Sequence, residues 1–178
     1  MKIRTVTARA FLLMAVAALA PLVWTPATGT AGEAPIRGFD SAIANPQGGV
    51  VFCTGLPALI PSLFDTEGRL THIGPTTGLA LITACELSQD GTFHADVIAL
   101  LAGRNGDAIF LAGTLEIGLF SGVVTGALEI RGGTGRFSSA TGALESVGSI
   151  NFGTLTITQE ITGTISMRGT SDMLTVDG

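Results

Sequence analysis

The stretch LALITACELSQDGTFHADVIALLAGRNGDAIFLAGTLEIG, residues 79–118, decides the fold of this 178-residue chain. It contains three apolar, strand-like runs, which are separated by Asp90-Gly91 and Asn105-Gly106. An Asp-Gly or Asn-Gly pair tolerates the positive φ angles of a type I′ turn and is a strong hairpin signal. The stretch therefore predicts three consecutive strands, each antiparallel to the next.

The same alternation of β-rich runs and turns continues to the C-terminal part of the chain. Further runs follow the turn signals near Ser121-Gly122 and Gly132-Gly133, and another follows Asn151-Phe152-Gly153. All seven prolines lie at or before Pro75, so the later runs keep every backbone donor that a long strand needs. Two earlier strands are expected at residues 50–54 and 69–73, and the proline-containing segment 57–64 is expected to be a loop.

About eight strands joined by tight turns define the fold class. Such a meander closes most naturally as an eight-stranded antiparallel up-and-down barrel, which leaves no exposed sheet edge. A two-sheet sandwich is the alternative. We expect a single all-β barrel domain at residues 48–178, preceded by an N-terminal extension at residues 32–47.

The first 31 residues are typical of a secretory signal peptide. Lys2, Arg4 and Arg9 precede an apolar run at residues 11–20, and small residues follow up to Ala31. We predict cleavage after Ala31, with Ala27 as the other candidate; a retained N-terminal anchor is the alternative reading. The expected location is secreted or periplasmic.

Removing this segment leaves six arginines and fourteen acidic residues, a formal charge of −8. A negative chain is repelled by nucleic-acid phosphates and by anionic lipids. We therefore expect no nucleic-acid partner and no membrane association after signal removal.

Cys53 and Cys85 are the only cysteines. In an exported protein such a pair predicts a disulfide, with two buried free thiols as the alternative. The two histidines, His72 and His94, do not complete a zinc-type spacing with them. No metal and no cofactor are expected.

One run, ADVIALLAG at residues 95–103, is apolar on both faces. An antiparallel sheet with one solvated face should instead alternate apolar and polar residues. We therefore expect part of the outer wall to be covered by another segment or by a second copy, as in a homodimer or homotrimer.

The segment GGTGRFSSATG, residues 132–142, resembles the GGTGRF-x-x-A-x-G signature of the allene oxide cyclase and dirigent barrel superfamily. Thr71-His72-Ile73-Gly74 and Asn105-Gly106-Asp107 look like two further motifs of its secreted bacterial members, in the same order. The resemblance implies a calycin-like, eight-stranded antiparallel barrel that is often trimeric. It also implies an apolar ligand that is folded inside the barrel before a cyclisation or a coupling reaction.

The physical interpretation of this signature is structural. Gly132, Gly133 and Gly135 suit a tight connection, and Phe137 is expected to begin the next strand and to fill the core. Gly142 is expected to keep that strand slim where a neighbouring strand approaches. The chain contains no tyrosine, so tyrosine-dependent versions of the superfamily's chemistry are excluded.

Three side chains are candidates for a site. His94 and Asp96 share one face of a predicted strand, where a carboxylate could orient an imidazole for acid/base work. The competing interpretation places both on the outer surface. His72 is a candidate ligand contact, or else an anchor for a strand end.

The leading function is binding of a small hydrophobic molecule, with cyclase or isomerase activity as its extension. The rival is a non-catalytic secreted structural or interaction protein on the same scaffold. A lined apolar cavity would favour the first, and an interior filled with side chains would favour the second.

Overall fold

The computed structural model describes residues 32–56 and 59–167. The predicted signal peptide at residues 1–31 lies outside them. The described chain forms ten strands and one 3-10 turn: β1 (Glu33–Ala44), β2 (Val50–Phe52), β3 (Leu59–Pro61), β4 (Leu63–Leu70), β5 (Gly74–Leu87), β6 (Thr92–Gly103), β7 (Ala108–Gly118), β8 (Val123–Gly133), the 3-10 turn Gly135–Phe137, β9 (Thr141–Asn151) and β10 (Thr156–Ser166).

Eight of these strands close into a barrel in the order β1-β10-β9-β8-β7-β6-β5-β4. Every neighbouring pair is antiparallel, and from β4 to β10 each strand pairs with the next in the chain. β1 closes the barrel by pairing with both β10 and β4. The predicted up-and-down barrel is thus confirmed, and the sandwich alternative is wrong.

The segment 32–47, expected to be an extension outside the barrel, supplies β1. Ile36, Asp40 and Ala42 are buried on its inner face, while Arg37 and Phe39 face outward and are exposed. A glycine and a carboxylate at inward positions, Gly38 and Asp40, interrupt the apolar alternation by which a strand is recognised in sequence.

The early strands also differ from expectation. Residues 50–52 do not join the barrel, because β2 pairs with β3 in a separate two-stranded sheet. Thr54 forms an isolated parallel bridge with Glu86 of β5. The expected strand at 69–73 is the end of β4 followed by a turn at residues 71–73. The segment 57–64 is not wholly a loop, since β3 and the start of β4 fall within it. Pro61 is tolerated in β3 because that sheet has only edge strands.

Phe137 fills the core as expected but does not begin a strand. It ends the 3-10 turn with no exposed surface, and β9 starts only at Thr141. The aromatic ring is therefore inserted into the barrel by a turn.

The two ends of the barrel differ in structure. At one end, here called the closed end, lie the β4–β5, β6–β7 and β8–β9 turns, together with the start of β1 and the finish of β10. The opposite end, here called the mouth, carries the other three hairpin turns and the segment between β1 and β4. The closed end is filled by large buried side chains, which include Phe137, Ile36, Leu70, Ile109, Leu144 and Ile165.

Candidate ligand-binding cavity

A cavity of about 260 Å³ occupies the barrel interior on the mouth side of this packed end. Its wall is almost wholly apolar, because every second residue of β6 from Phe93 to Leu101 points into it. Four inward positions carry only a methyl group: Ala42, Ala80, Ala95 and Ala99. Small side chains at these positions leave open a space that leucine or phenylalanine would fill.

One cluster of three polar side chains interrupts this apolar wall. Asp40, Thr66 and Gln159 lie on the adjacent strands β1, β4 and β10 and line the cavity together. Asp40 is 6% exposed and, among the described residues, is the single ionisable one of the lining. Asp40 Oδ1, Thr66 Oγ1 and Gln159 Oε1 have no hydrogen-bond partner within the described part of the chain. The cavity wall thus contains one cluster of buried polar atoms that the described residues leave unpaired.

The surroundings of Asp40 alter its acidity. Burial raises the pKa of the Asp40 carboxyl from 3.8 to about 6, and the side chain of Gln159 partly opposes this shift by hydrogen bonding. Both protonation states are therefore populated near neutral pH, which suits a group that gives or takes a proton.

Gly68, the β4 residue opposite Asp40 in the register, makes room for the carboxyl group. A Cβ at residue 68 would lie 2.9 Å from Asp40 Oδ1 and would also overlap the carbonyl oxygen of Phe39. The inward orientation of Asp40 thus depends on a glycine from the neighbouring strand.

Sequence reasoning missed Asp40 because it placed residues 32–47 outside the barrel. The signal that could have found it is the alternation of a strand, which puts Asp40 on the same face as Ala42, two residues later, and Ile36, four residues earlier. A carboxylate that shares a face with apolar residues is a candidate buried group.

A segment between β1 and β4 borders the mouth, and we call its described residues, 45–56 and 59–62, the flap. Leu56, Ile60 and Pro61 of the flap line the cavity. The predicted disulfide between Cys53 and Cys85 is confirmed and ties the flap to β5, with a Cα–Cα distance of 4.7 Å.

Backbone hydrogen bonds reinforce this tether. The Thr54 amide donates to the carbonyl of Cys85 at 3.0 Å, and the Leu87 amide donates to the carbonyl of Thr54 at 2.8 Å. A disulfide of this kind is compatible with an extracellular or periplasmic location.

His94 and Asp96 lie on the outer wall of β6, on the face opposite the cavity-lining residues. His94 Nδ1 is 3.4 Å from Glu116 Oε1 of β7, and Asp96 is exposed. The structure pairs His94 with a carboxylate but places both candidates outside the cavity, as the competing surface interpretation has it.

His72 lies in the turn between β4 and β5, at the closed end. It has a positive φ of 67°, and its Nε2 lies 3.0 Å from the carbonyl oxygen of Pro35. It does not line the cavity. This position fits the anchoring role rather than a ligand contact.

The three motifs that carry the superfamily resemblance meet at this closed end. Arg136 donates through Nη2 to the carbonyl of His72 at 2.7 Å, and its Nε lies 3.4 Å from Asp107 Oδ2. The same guanidinium lies 4.7 Å from the centre of the Phe137 ring. Arg136 thereby joins the β4–β5, β6–β7 and β8–β9 connections.

The signature glycines serve the same end of the barrel. Gly135 has a φ of 55°, a conformation that glycine adopts without strain. A Cβ at Gly133 would overlap the carbonyl oxygen of Ala108, and one at Gly142 would overlap that of Thr164. Gly132 also has a positive φ, of 108°. These contacts agree with the structural interpretation of the signature.

Within residues 32–56 and 59–167, no helix has the length and apolar character needed to cross a membrane. Over the same residues, no three acidic, cysteine or histidine side chains come together in a way that could hold a metal ion.

Fold and cavity together define a closed eight-stranded antiparallel barrel with an apolar interior and one buried carboxyl group. Among similar solved structures is the pterocarpan synthase dirigent protein PsPTS1, with a TM-score of 0.49 and 16% identity over 77% of this chain and 96% of that chain. Another is the pterocarpan synthase dirigent protein GePTS1, with a TM-score of 0.48 and 15% identity over 84% of this chain and all of that chain.

This likeness concerns the fold alone. The eight-stranded antiparallel barrel itself is shown by the strand pairing of this chain. No protein-family model matches the chain, and no curated protein matches it.

Proposed function

We propose that this protein is an exported barrel that binds a small apolar molecule in its interior. The observation that carries the proposal is the apolar cavity with one buried polar cluster, formed by Asp40, Thr66 and Gln159. Ligand sites are generally concave and apolar, with a few polar groups that fix the orientation of the ligand. The rival structural role predicts a filled interior, so the open space supports binding.

Cyclase or isomerase activity is the chemical extension of this proposal. A flexible apolar chain held in a confined cavity is restricted to few conformations, which lowers the entropy cost of ring closure. Asp40 is the group positioned to give or take a proton, because it is the ionisable residue of the lining and both its protonation states are populated near neutral pH.

The binding proposal is tested with N-phenylnaphthylamine, a neutral probe that fluoresces in apolar surroundings. We expect saturable binding, and we expect Ala99→Phe, which fills the cavity, to reduce it about tenfold or more. Ala127→Phe is the matched control, because Ala127 is exposed on the outer wall of β8. Equal binding by the wild type and Ala99→Phe would contradict the proposal. Native mass spectrometry of the purified protein would show whether a ligand copurifies.

We also propose that the protein forms a homodimer or homotrimer through the outer wall of β5, β6 and β7. Leu79 and Leu100 are cross-strand neighbours there, Phe110 lies beside Leu100, and Leu81 pairs with Ile98. All five are half-buried apolar residues. Native mass spectrometry also gives the subunit number, and a strict monomer at micromolar concentration would exclude this assembly.

A further inference from the structure

Exposed large apolar side chains are concentrated at one end of the barrel. Of the ten in the described residues, eight lie at the mouth, and we call this group the rim: Ile43, Val50, Phe52, Leu59, Phe120, Val123, Phe152 and Leu155. The other two, Phe39 and Val147, lie on the barrel wall. The turns of the closed end contribute none.

The rim comes from four separate parts of the chain that surround one opening. The end of β1, the flap, the β7–β8 turn and the β9–β10 turn each contribute to it. Phe120, at 92% exposure, projects from the β7–β8 turn. Phe152 and Leu155 belong both to the rim and to the cavity lining. The apolar surface therefore runs from the outside into the cavity without a polar break at these two residues.

The described arginine side chains lie toward the opposite end of the barrel from the exposed apolar side chains of the rim. The arginines of the described residues all lie in the half of the barrel nearer the closed end: Arg37, Arg69, Arg104, Arg131 and Arg136. The mouth half carries carboxylates instead, among them Asp65, Glu86 and Asp90. An anionic partner would meet no arginine at the rim and would be repelled by these acids.

We propose that the rim docks the barrel, mouth first, onto an uncharged lipid surface such as the face of a zwitterionic bilayer. Burial of exposed apolar side chains drives such docking, and a surface without net charge needs no cation from the protein. The negative net charge of the chain and the acids of the mouth disfavour anionic lipids, but neither opposes contact with an uncharged surface. Docking itself does not depend on the proposed function. Docking would let an apolar ligand pass from the lipid into the cavity without crossing water, and this purpose rests on the proposed function.

The test is flotation of the purified protein with phosphatidylcholine vesicles. Its mass is measured first, so that all variants compared share one N-terminus. We expect Phe120→Ser and Phe152→Ser each to weaken binding roughly tenfold, because each removes one apolar side chain from the contact. Phe39→Ser is the matched control, because Phe39 is 59% exposed but lies on the barrel wall; it should leave flotation unchanged.

Three results of the flotation experiment would overturn the proposal: no flotation of the wild type, equal losses in the rim and control variants, or stronger binding when anionic phosphatidylglycerol is added. If Phe120→Ser leaves the mass of the assembly in solution unchanged, a second copy of the chain does not cover the rim. If the variant has fewer subunits than the wild type, a second copy does cover the rim, and lipid docking is overturned. Phe120→Ser should still bind N-phenylnaphthylamine in solution. If the wild type does not bind N-phenylnaphthylamine but does float with the vesicles, the proposed function is contradicted and lipid docking is not.

Discussion

Arg136 donates a 2.7 Å hydrogen bond through Nη2 to the backbone carbonyl of His72, a residue 64 positions earlier in the chain. The contact joins the GGTGRF signature to the Thr-His-Ile-Gly motif, and Asp107 adds the third motif through Arg136 Nε. Motifs that are far apart in sequence thus form one cluster, which closes the barrel on the side away from the cavity.

Substitution of Arg136 by alanine is expected to lower the free energy of unfolding by about 1–2 kcal/mol, because a charged donor is lost from a partly exposed cluster. Probe binding in the cavity should not change. Chemical denaturation measures the first and fluorescence titration the second. Arg131→Ala is the control, because Arg131 pairs with Glu129 of β8 and both side chains are exposed; its loss should cost under about 0.5 kcal/mol. Loss of probe binding in a folded Arg136→Ala protein would place the cluster in the ligand site.

The Asp40→Asn variant is expected to be more stable than the wild type at neutral pH but not in acid. Burial raises the pKa of Asp40 to about 6 in the folded state, so the wild type loses stability as the pH rises from about 4 through 6. Asparagine cannot ionise and escapes this loss. The difference in unfolding free energy should grow by about 2–3 kcal/mol between about pH 4 and pH 7.5.

Urea denaturation at a series of pH values measures this difference. Asp96→Asn is the control, because Asp96 is exposed on the outer wall, and its pH profile should follow that of the wild type. A constant offset between Asp40→Asn and the wild type across this range would mean that Asp40 titrates normally and is not buried as described.

Removal of the disulfide by the double substitution Cys53→Ser and Cys85→Ser should destabilise the protein by about 3–4 kcal/mol, from the chain entropy of a loop closed over 32 residues. The loss should be largest in the flap. Hydrogen exchange should show faster exchange of the Thr54 and Leu87 amides, while amides of β9 keep their protection. Uniform loss of protection across the barrel would show that the flap is not a separate unit.

Alanine at His94 or Asp96 should leave N-phenylnaphthylamine binding unchanged and alter stability by about 0.5 kcal/mol or less, because both lie on the outer wall. Fluorescence titration and thermal unfolding give the two quantities. A tenfold weaker affinity for either variant would indicate a second binding surface outside the barrel.

Local turn chemistry made much of the barrel predictable. Gly91 and Gly106 have φ angles of 83° and 84° and separate β5, β6 and β7, so the predicted hairpins are confirmed. The predicted type I′ turns are wrong, because Asp90 and Asn105 do not have positive φ and each connection spans four residues. Because these hairpins are set by adjacent residues, no long-range information is needed to recognise them. The disulfide was predictable for a similar reason, since only two cysteines exist.

The candidate site was not predictable in the same way. β1 is a barrel strand because it pairs with β4 and β10, which lie far along the chain, and its inward Asp40 runs against the rule that inner faces are apolar. The flap has the local pattern of a barrel strand at residues 50–52, yet pairs with β3 instead. In both cases the place of the strand depends on which strand it pairs with, and the residue pattern of one segment does not specify its partner.

The separation of the Arg136 cluster from the mouth has a consequence for engineering. The contacts that specify the closed end do not involve the flap, the β7–β8 turn or the β9–β10 turn. Those three segments can therefore be exchanged or lengthened as a set, in the way that antibody loops are grafted onto a framework, without disturbing the cluster. The closed end would keep its structure while the segments around the mouth are changed to admit a different ligand.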